Sequence, residues 1–399
     1  LFENTPETFG ARLGAPLKFH WVSQDRQEAR GTHPSLSYHG HKVYEAVVRF
    51  RDNRVAEVVL SLFNRGDAGE LTMADFEARC RAMETTAQQL ASGPAEDLSP
   101  PTGPGGRREK VLVWTQPGKI IRLRHSSTRL SGAQTGFRPE YLEFASIAPA
   151  HYRPAANRGQ TRPSISAVDL RELVNRQTPG RTWLPGVPMV DQGQKGYCSV
   201  ATTERVMRYY GMEVNQHELA QRAQSEAKGG TDPESLIKAL RALALQAGLK
   251  LDMISPWEPK DFFDLVDDYN QTAKREKAAE IVLSGRTVMI SDVYAKMDYG
   301  LLKKTRLRKS SGPAVFNRQI RDRIDAGVPV VWNVMLGLVK ETPPTPQRLG
   351  GHTRLIIGYT DDGKILYSDS WGYGHEVKEM DAEDAFVITT GIFAIQPRL

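Results

Sequence analysis

Apolar and polar residues partly alternate over residues 43–50 (VYEAVVRF) and 54–63 (RVAEVVLSLF), which predicts two strands. Arg51, Asp52 and Asn53 between them predict a hairpin. The period then changes. From Thr72, a capping residue, Phe76, Cys80, Met83, Ala87 and Leu90 recur at steps of three and four, so a helix to about residue 91 presents one apolar stripe. Residues 110–124 predict a second hairpin turning at Pro117-Gly118, and residues 140–147 one more strand. Two stretches lack any period. Residues 93–108, dense in Pro and Gly, read as a flexible excursion, and residues 148–165 place the main domain boundary.

Beyond that boundary helices come first and strands last. Asn215 with Glu218 resembles a capping box. Asp232-Pro233 opens a helix with Leu236, Leu240, Leu243 and Ala247 on one face, stopped by Gly248. A helix at about 314–326 carries Phe316, Ile320 and Ile324 and ends at Gly327. Strands follow at 328–335 (VPVVWNVM), 353–360 (TRLIIGYT) and 363–369 (GKILYSD), the last two joined by Asp361-Asp362. No internal repeat is present. The expected organisation is an accessory α+β domain over 1–150, a linker over 151–178 and a larger α+β domain over 179–399.

Composition changes this picture only by exclusion. At 399 residues the chain is long for a single core, and 53 basic against 47 acidic residues give a net charge of +6, too slight for a nucleic-acid-binding composition. No apolar run approaches the roughly 18 residues of a membrane span. Two cysteines, Cys80 and Cys198, cannot make a disulfide framework or a multi-thiolate zinc site, and Cys80, on the helix stripe, reads as a buried hydrophobe. His20, His33, His39 and His41 lack a further ligand at a recognisable spacing, so no metal is expected there. No Gly-rich phosphate loop lies between a strand and a helix, so no nucleotide cofactor is expected. Lys303, Lys304, Arg306, Arg308 and Lys309 read as a solvated loop or helix face. The chain opens on Leu1. A removed secretory signal, and hence a secreted or periplasmic protein, is the expectation, with a trimmed terminus as the alternative.

The chemistry gathers around Cys198. The segment 187–211 reads VPMVDQGQKGYCSVATTERVMRYYG: an aperiodic loop, the cysteine, then a helix through Tyr210 closed by Gly211. A helix N-terminus offers unpaired N–H groups and the positive end of the dipole, which favour a thiolate. Gln192, six residues earlier, can supply an amide donor that completes an oxyanion hole with the Cys198 N–H; Gln194 is the alternative. His352 follows two glycines at a strand start, and Asp369 ends the neighbouring strand. The hairpin between them would bring both to one end, where Asp369 fixes the imidazole tautomer. His375 follows the Trp371-Gly372 turn in a polar loop and is expected at the surface.

The ordered set Gln192-x5-Cys198, Gly351-His352 and Asp369-Ser370-Trp371-Gly372 resembles papain-like cysteine peptidases. The nearer likeness is to the bacterial branch that cleaves double-glycine leader peptides of bacteriocins, in which the third member is Asp. Gly327-Val328-Pro329-Val330 resembles the strand that precedes the histidine strand there, and the likeness spans about 185–390. Ser199 stands where many relatives have Gly, and the insertion over 255–312 exceeds a minimal domain. The resemblance implies a helical part with the nucleophile helix packed on an antiparallel sheet. It implies hydrolysis of a peptide or protein substrate through a Cys198–His352–Asp369 triad and a thioester, with Gln192 at the oxyanion and neither metal nor organic cofactor. A transamidase or deamidase using the same residues, and an inactive binding or scaffold protein, are the alternatives.

Overall fold

The computed structural model describes residues 1–103, 106–130, 136–152, 167–193, 196–212, 214, 216–222, 237–238, 240–241, 244, 248–256, 258–283, 288–308 and 311–398. The chain divides into two compact units. One comprises Leu1–Gln160 with Gly193–Tyr197 and His217–Asp232; the other comprises Thr161–Gln192, Cys198–Gln216 and Pro233–Leu399.

The first unit is an antiparallel sheet of eight strands in the order His20–Trp21, Glu28–Gly31, Glu45–Arg51, Arg54–Asn64, Phe137–Ile147, Lys119–Arg129, Arg107–Gln116, Glu96–Asp97. Asp52 and Asn53 have φ of 51° and 58°, so the first predicted hairpin closes through a two-residue left-handed turn of the kind that matches strand twist. Gly118, at φ 74°, closes the second. The helix Met73–Leu90 starts where Thr72 accepts a hydrogen bond from the Asp75 N–H, and buries Phe76, Cys80, Met83 and Ala87 against Phe63, Trp114 and Phe144. Each large apolar side chain so buried stabilises by about 1.5–3 kcal/mol. The 93–108 stretch is partly captured by the sheet, since Glu96 and Asp97 pair with Val113 and Leu112.

Among the described residues the second unit carries seven strands: β1 (Arg181–Trp183), β2 (Leu249–Ser255), β3 (Val330–Leu336), β4 (Gly350–Thr360), β5 (Lys364–Ser368), β6 (Lys378–Asp381) and β7 (Thr389–Pro397). They pair antiparallel in the order β2-β7-β3-β4-β5-β6, with β1 also on β4. Among the described residues its helices are Ala167–Glu172, which falls within the stretch expected to be a linker, and α1 (Cys198–Tyr209), α2 (Pro259–Arg275), α3 (Ile290–Tyr294), α4 (Tyr299–Leu307), α5 (Ser311–Asp325) and α6 (Ala382–Ile388). Phe316, Ile320 and Ile324 of α5 pack with Val330, Trp332, Ile356 and Tyr367 of the sheet. The long insertion is not a loose cover. It is mostly helical, and Phe262, Val266, Tyr269, Tyr294 and Leu302 form a core of their own with Met335 and Val387.

Several expectations shift. Strand β3 begins at Val330, two residues late, because Gly327 is left-handed (φ 76°) and Pro329 has no N–H to pair. Strand β4 begins early, at Gly350, so His352 lies within it, opposite Val334. The described members of the basic run lie on and just beyond α4 and are paired: Lys303 with Asp384 at 2.7 Å, Lys304 with Glu276 at 3.0 Å, Arg308 with Asp268 at 2.9 Å. Arg306 turns inward onto the Phe386 ring and the Thr389 carbonyl. His39, at φ 48°, occupies a left-handed turn position between the short strands Ser37–Tyr38 and His41–Lys42. His375 is buried, not exposed, because the polypeptide after Asp369 folds back and the His375 carbonyl accepts the Asp369 N–H at 3.0 Å. Most of the 148–165 boundary, the Asp232-Pro233 helix start with Leu236, Leu243 and Ala247, and also Gln194, Asn215 and Lys309 lie outside the described residues.

Candidate active site

Helix α1 runs through the interior of its unit, burying residues on every face from Val200 to Met207. It ends in a Schellman arrangement: the Met212 N–H reaches the Met207 carbonyl, the Gly211 N–H reaches Arg208, and Gly211 takes φ 77°. Both tyrosines before that end are anchored, Tyr209 on the Gly327 carbonyl and Tyr210 on that of Ile395. Its first residue, Cys198, is half-buried. Ser199 and Thr202 tie the first turn to β4: their hydroxyls meet the Thr353 hydroxyl at 2.8 Å and the Thr353 carbonyl at 3.1 Å. Ser199, the departure from the family pattern, therefore ties the cysteine turn to the histidine strand.

His352 and Asp369 are both buried, with imidazole Nε2 at 3.0 Å from carboxylate Oδ1. Trp371 lies flat on the imidazole, ring centroids 4.2 Å apart and planes within 8°. His375 meets the Trp371 ring edge-on at 5.6 Å. Nδ1 of His352, the other ring nitrogen, is buried with no hydrogen-bond partner among the described residues. Gly372 is required here: it takes φ 79°, and a Cβ would stand 3.3 Å from the Asp191 carboxylate. Gln192 is buried and doubly tied to Ser370, its N–H donating to the Ser370 carbonyl at 2.8 Å and its Oε1 accepting the Ser370 hydroxyl at 2.6 Å. An amide whose oxygen is held in this way presents its NH2 group at the opposite edge.

Electrostatics decide the charge states. Burial opposes a thiolate at Cys198, but the interaction with the neighbouring His352, with the Thr353 backbone and Ser199 hydroxyl, outweighs it and brings the thiol down to about 7. Burial likewise opposes the imidazolium, yet Asp369 and Cys198 raise the His352 pKa above its ordinary value. Asp369 is held well below the carboxylate range: burial works against the charge, and Arg354 first, then His352, more than compensate. The arrangement can hold a thiolate–imidazolium pair.

Two residues that sequence reasoning passed over complete the surroundings. Arg354 and Arg205 are both fully buried. Arg354 follows His352 by two positions on β4 and sets its Nε 3.0 Å from Asp369 Oδ1. Arg205, seven residues after Cys198, donates to the carbonyls of Pro188 at 2.8 Å and Asp369 at 3.0 Å and to the Ser368 hydroxyl. The faint signal was spacing: i,i+2 along a strand and i,i+7 along a helix both return to one face. Among the described residues no group of three or more His, Cys, Asp or Glu is placed to hold a metal ion, and no helix is long and apolar enough to cross a membrane.

No curated protein matches the chain. A family model does, over residues 185–390, which takes in Gln192, Cys198, His352 and Asp369 and just over half the sequence. The chain belongs to the Peptidase_C39 like family.

Proposed function

We propose that the protein is a cysteine peptidase that hydrolyses peptide or amide bonds through a thioester on Cys198. The observation that carries the reading is the buried His352–Asp369 bond of 3.0 Å beside a helix-terminal thiol lowered to about 7. The thiolate attacks the carbonyl carbon, and the developing oxyanion takes hydrogen bonds from the Cys198 N–H and the Gln192 amide. Nδ1–H of His352 then protonates the amine as the C–N bond breaks, leaving an acyl thioester. The neutral imidazole next takes a proton from water, which attacks the thioester, and collapse releases the carboxylic acid and the thiolate. Asp369 holds Nε2–H throughout, and Trp371 keeps solvent from the pair, which strengthens their interaction. Double-glycine leader cleavage is one specificity within this chemistry.

Cys198→Ala should fold as the parent, by circular dichroism, and lose all turnover of a peptide library read by mass spectrometry. Undiminished hydrolysis in that variant would end the proposal. His352→Asn should lose about 10²–10⁴-fold in rate, the range that a positioned acid–base group contributes.

A further inference from the structure

We propose that Arg354 is a positioning residue for this site: its guanidinium fixes Asp369 in place and in charge, and so sets the protonation of the His352–Cys198 pair. The inference rests on the proposed function, which names the pair it acts upon.

The geometry is that of a built relay. The guanidinium carbon lies 4.6 Å from the Tyr367 ring centroid and 5.3 Å from that of Trp332, so two aromatic rings fix its plane. On one side Nε pairs with Asp369 as an ion pair and not as an aligned hydrogen bond; the other edge grips both oxygens of Glu341 at 3.2 Å. Glu341 lies in the connection between β3 and β4, and it also receives the Lys378 ammonium at 2.8 Å and the Tyr367 hydroxyl at 2.6 Å. Lys378, from β6, lies 3.6 Å from Asp369 Oδ2 and binds the Pro343 carbonyl at 3.1 Å. Arg205 adds its bond to the Asp369 carbonyl from α1. Arg354 and Lys378 thus carry two positive charges against the two negative charges of Asp369 and Glu341. The quartet sums to zero, and Arg205 adds one further buried positive charge on the Asp369 side.

Such a neutral cluster is costly to bury, and removing one member leaves a bare charge. A structural ion pair needs no placement beside a titrating dyad. Here one carboxylate oxygen, Asp369 Oδ1, serves Arg354 and His352 at the same 3.0 Å. Any change in the Arg354 charge is felt by the imidazole directly.

The test is the pH dependence of Cys198 alkylation by iodoacetamide in the full chain, which needs no substrate. The parent should titrate near 7. Arg354→Met removes a positive charge, so the thiolate becomes harder to form and the midpoint should rise by about one pH unit or more. Glu341→Gln removes a negative charge from the same cluster and should move the midpoint down. Arg354→Lys keeps the charge and should stay close to the parent. Superposable profiles for the Met and Gln variants, or shifts of one sign, would overturn the proposal, since mere loosening cannot move a midpoint in opposite directions. Should Arg354→Met not fold, a Glu341→Gln midpoint unmoved from the parent's overturns the proposal by itself. Failure of the functional reading looks different: Cys198→Ala would still hydrolyse peptide.

Discussion

At the level of single residues the contrast between the two cysteines carries the most chemistry. Cys80 is buried on an apolar stripe, which pushes its thiol up to about 12; Cys198, also desolvated, is brought down to about 7 by His352. Near neutral pH a substantial share of Cys198 is then thiolate, while Cys80 stays a thiol. One equivalent of iodoacetamide should label Cys198 alone, and peptide mapping that finds Cys80 modified in the folded protein would contradict this. The sign of the pH profile follows from the same shifts. Activity needs the thiolate, so it rises as pH passes about 7, and it needs the imidazolium, so it falls as pH passes the raised His352 value. His352, Asp369 and Gln192 were legible because each has a recognisable partner at a fixed place in the order of the chain. Arg354, Glu341 and Lys378 were not, because a charged residue in a sequence reads as surface until its neutralising neighbours are known.

Among elements, α1 and the β4–β5 hairpin do the positioning, and Arg205 clamps them. Its guanidinium is brought down to about 10 by burial, with Asp369 acting in the opposite direction, so the cation is tolerated because four acceptors surround it. Arg205→Met should leave the Pro188 and Asp369 carbonyls without that donor, costing about 2–4 kcal/mol in urea denaturation after allowance for the charge no longer buried. A change under about 0.5 kcal/mol would mean the clamp is ornamental. The hairpins, the Met73–Leu90 helix and α5 were readable from period alone, since each has one buried face and clear stops. Strand β7 escaped because its run, TTGIFAIQP, directly follows α6 without a turn signal. Likewise β6 escaped: in KEMD it is Lys378 and Met380 that face inward, and an inward lysine contradicts the polar-outside pattern.

The whole molecule poses the question of what residues 1–150 do, with recognition, anchoring and inhibition as the choices. The partition of the chain bears on this, because the segments that flank α1 in sequence, Gly193–Tyr197 and His217–Asp232, group with Leu1–Gln160. Within that unit the Tyr197 hydroxyl seats over Gly66, where a Cβ would come within 2.2 Å of it. His217 faces Glu45 at 3.5 Å, Glu218 meets Arg107 at 3.5 Å and Arg124 at 3.4 Å, and Gln221 donates to Ser126 at 2.9 Å and Thr128 at 2.8 Å. A detachable inhibitor would leave the remainder able to fold and react, whereas here Tyr197, the residue before Cys198 in sequence, belongs to the first unit. A chain starting at residue 165 should therefore lose rapid alkylation of Cys198 and unfold at lower urea than the full chain. Gly66→Ala applies the same logic with one methyl group, displacing Tyr197, which immediately precedes Cys198 in sequence. A misplacement of about 1 Å can cost 10²-fold in rate, so Gly66→Ala should slow peptide hydrolysis well beyond its effect on stability. A truncated chain that folds and turns over faster than the parent would restore inhibition as the better account.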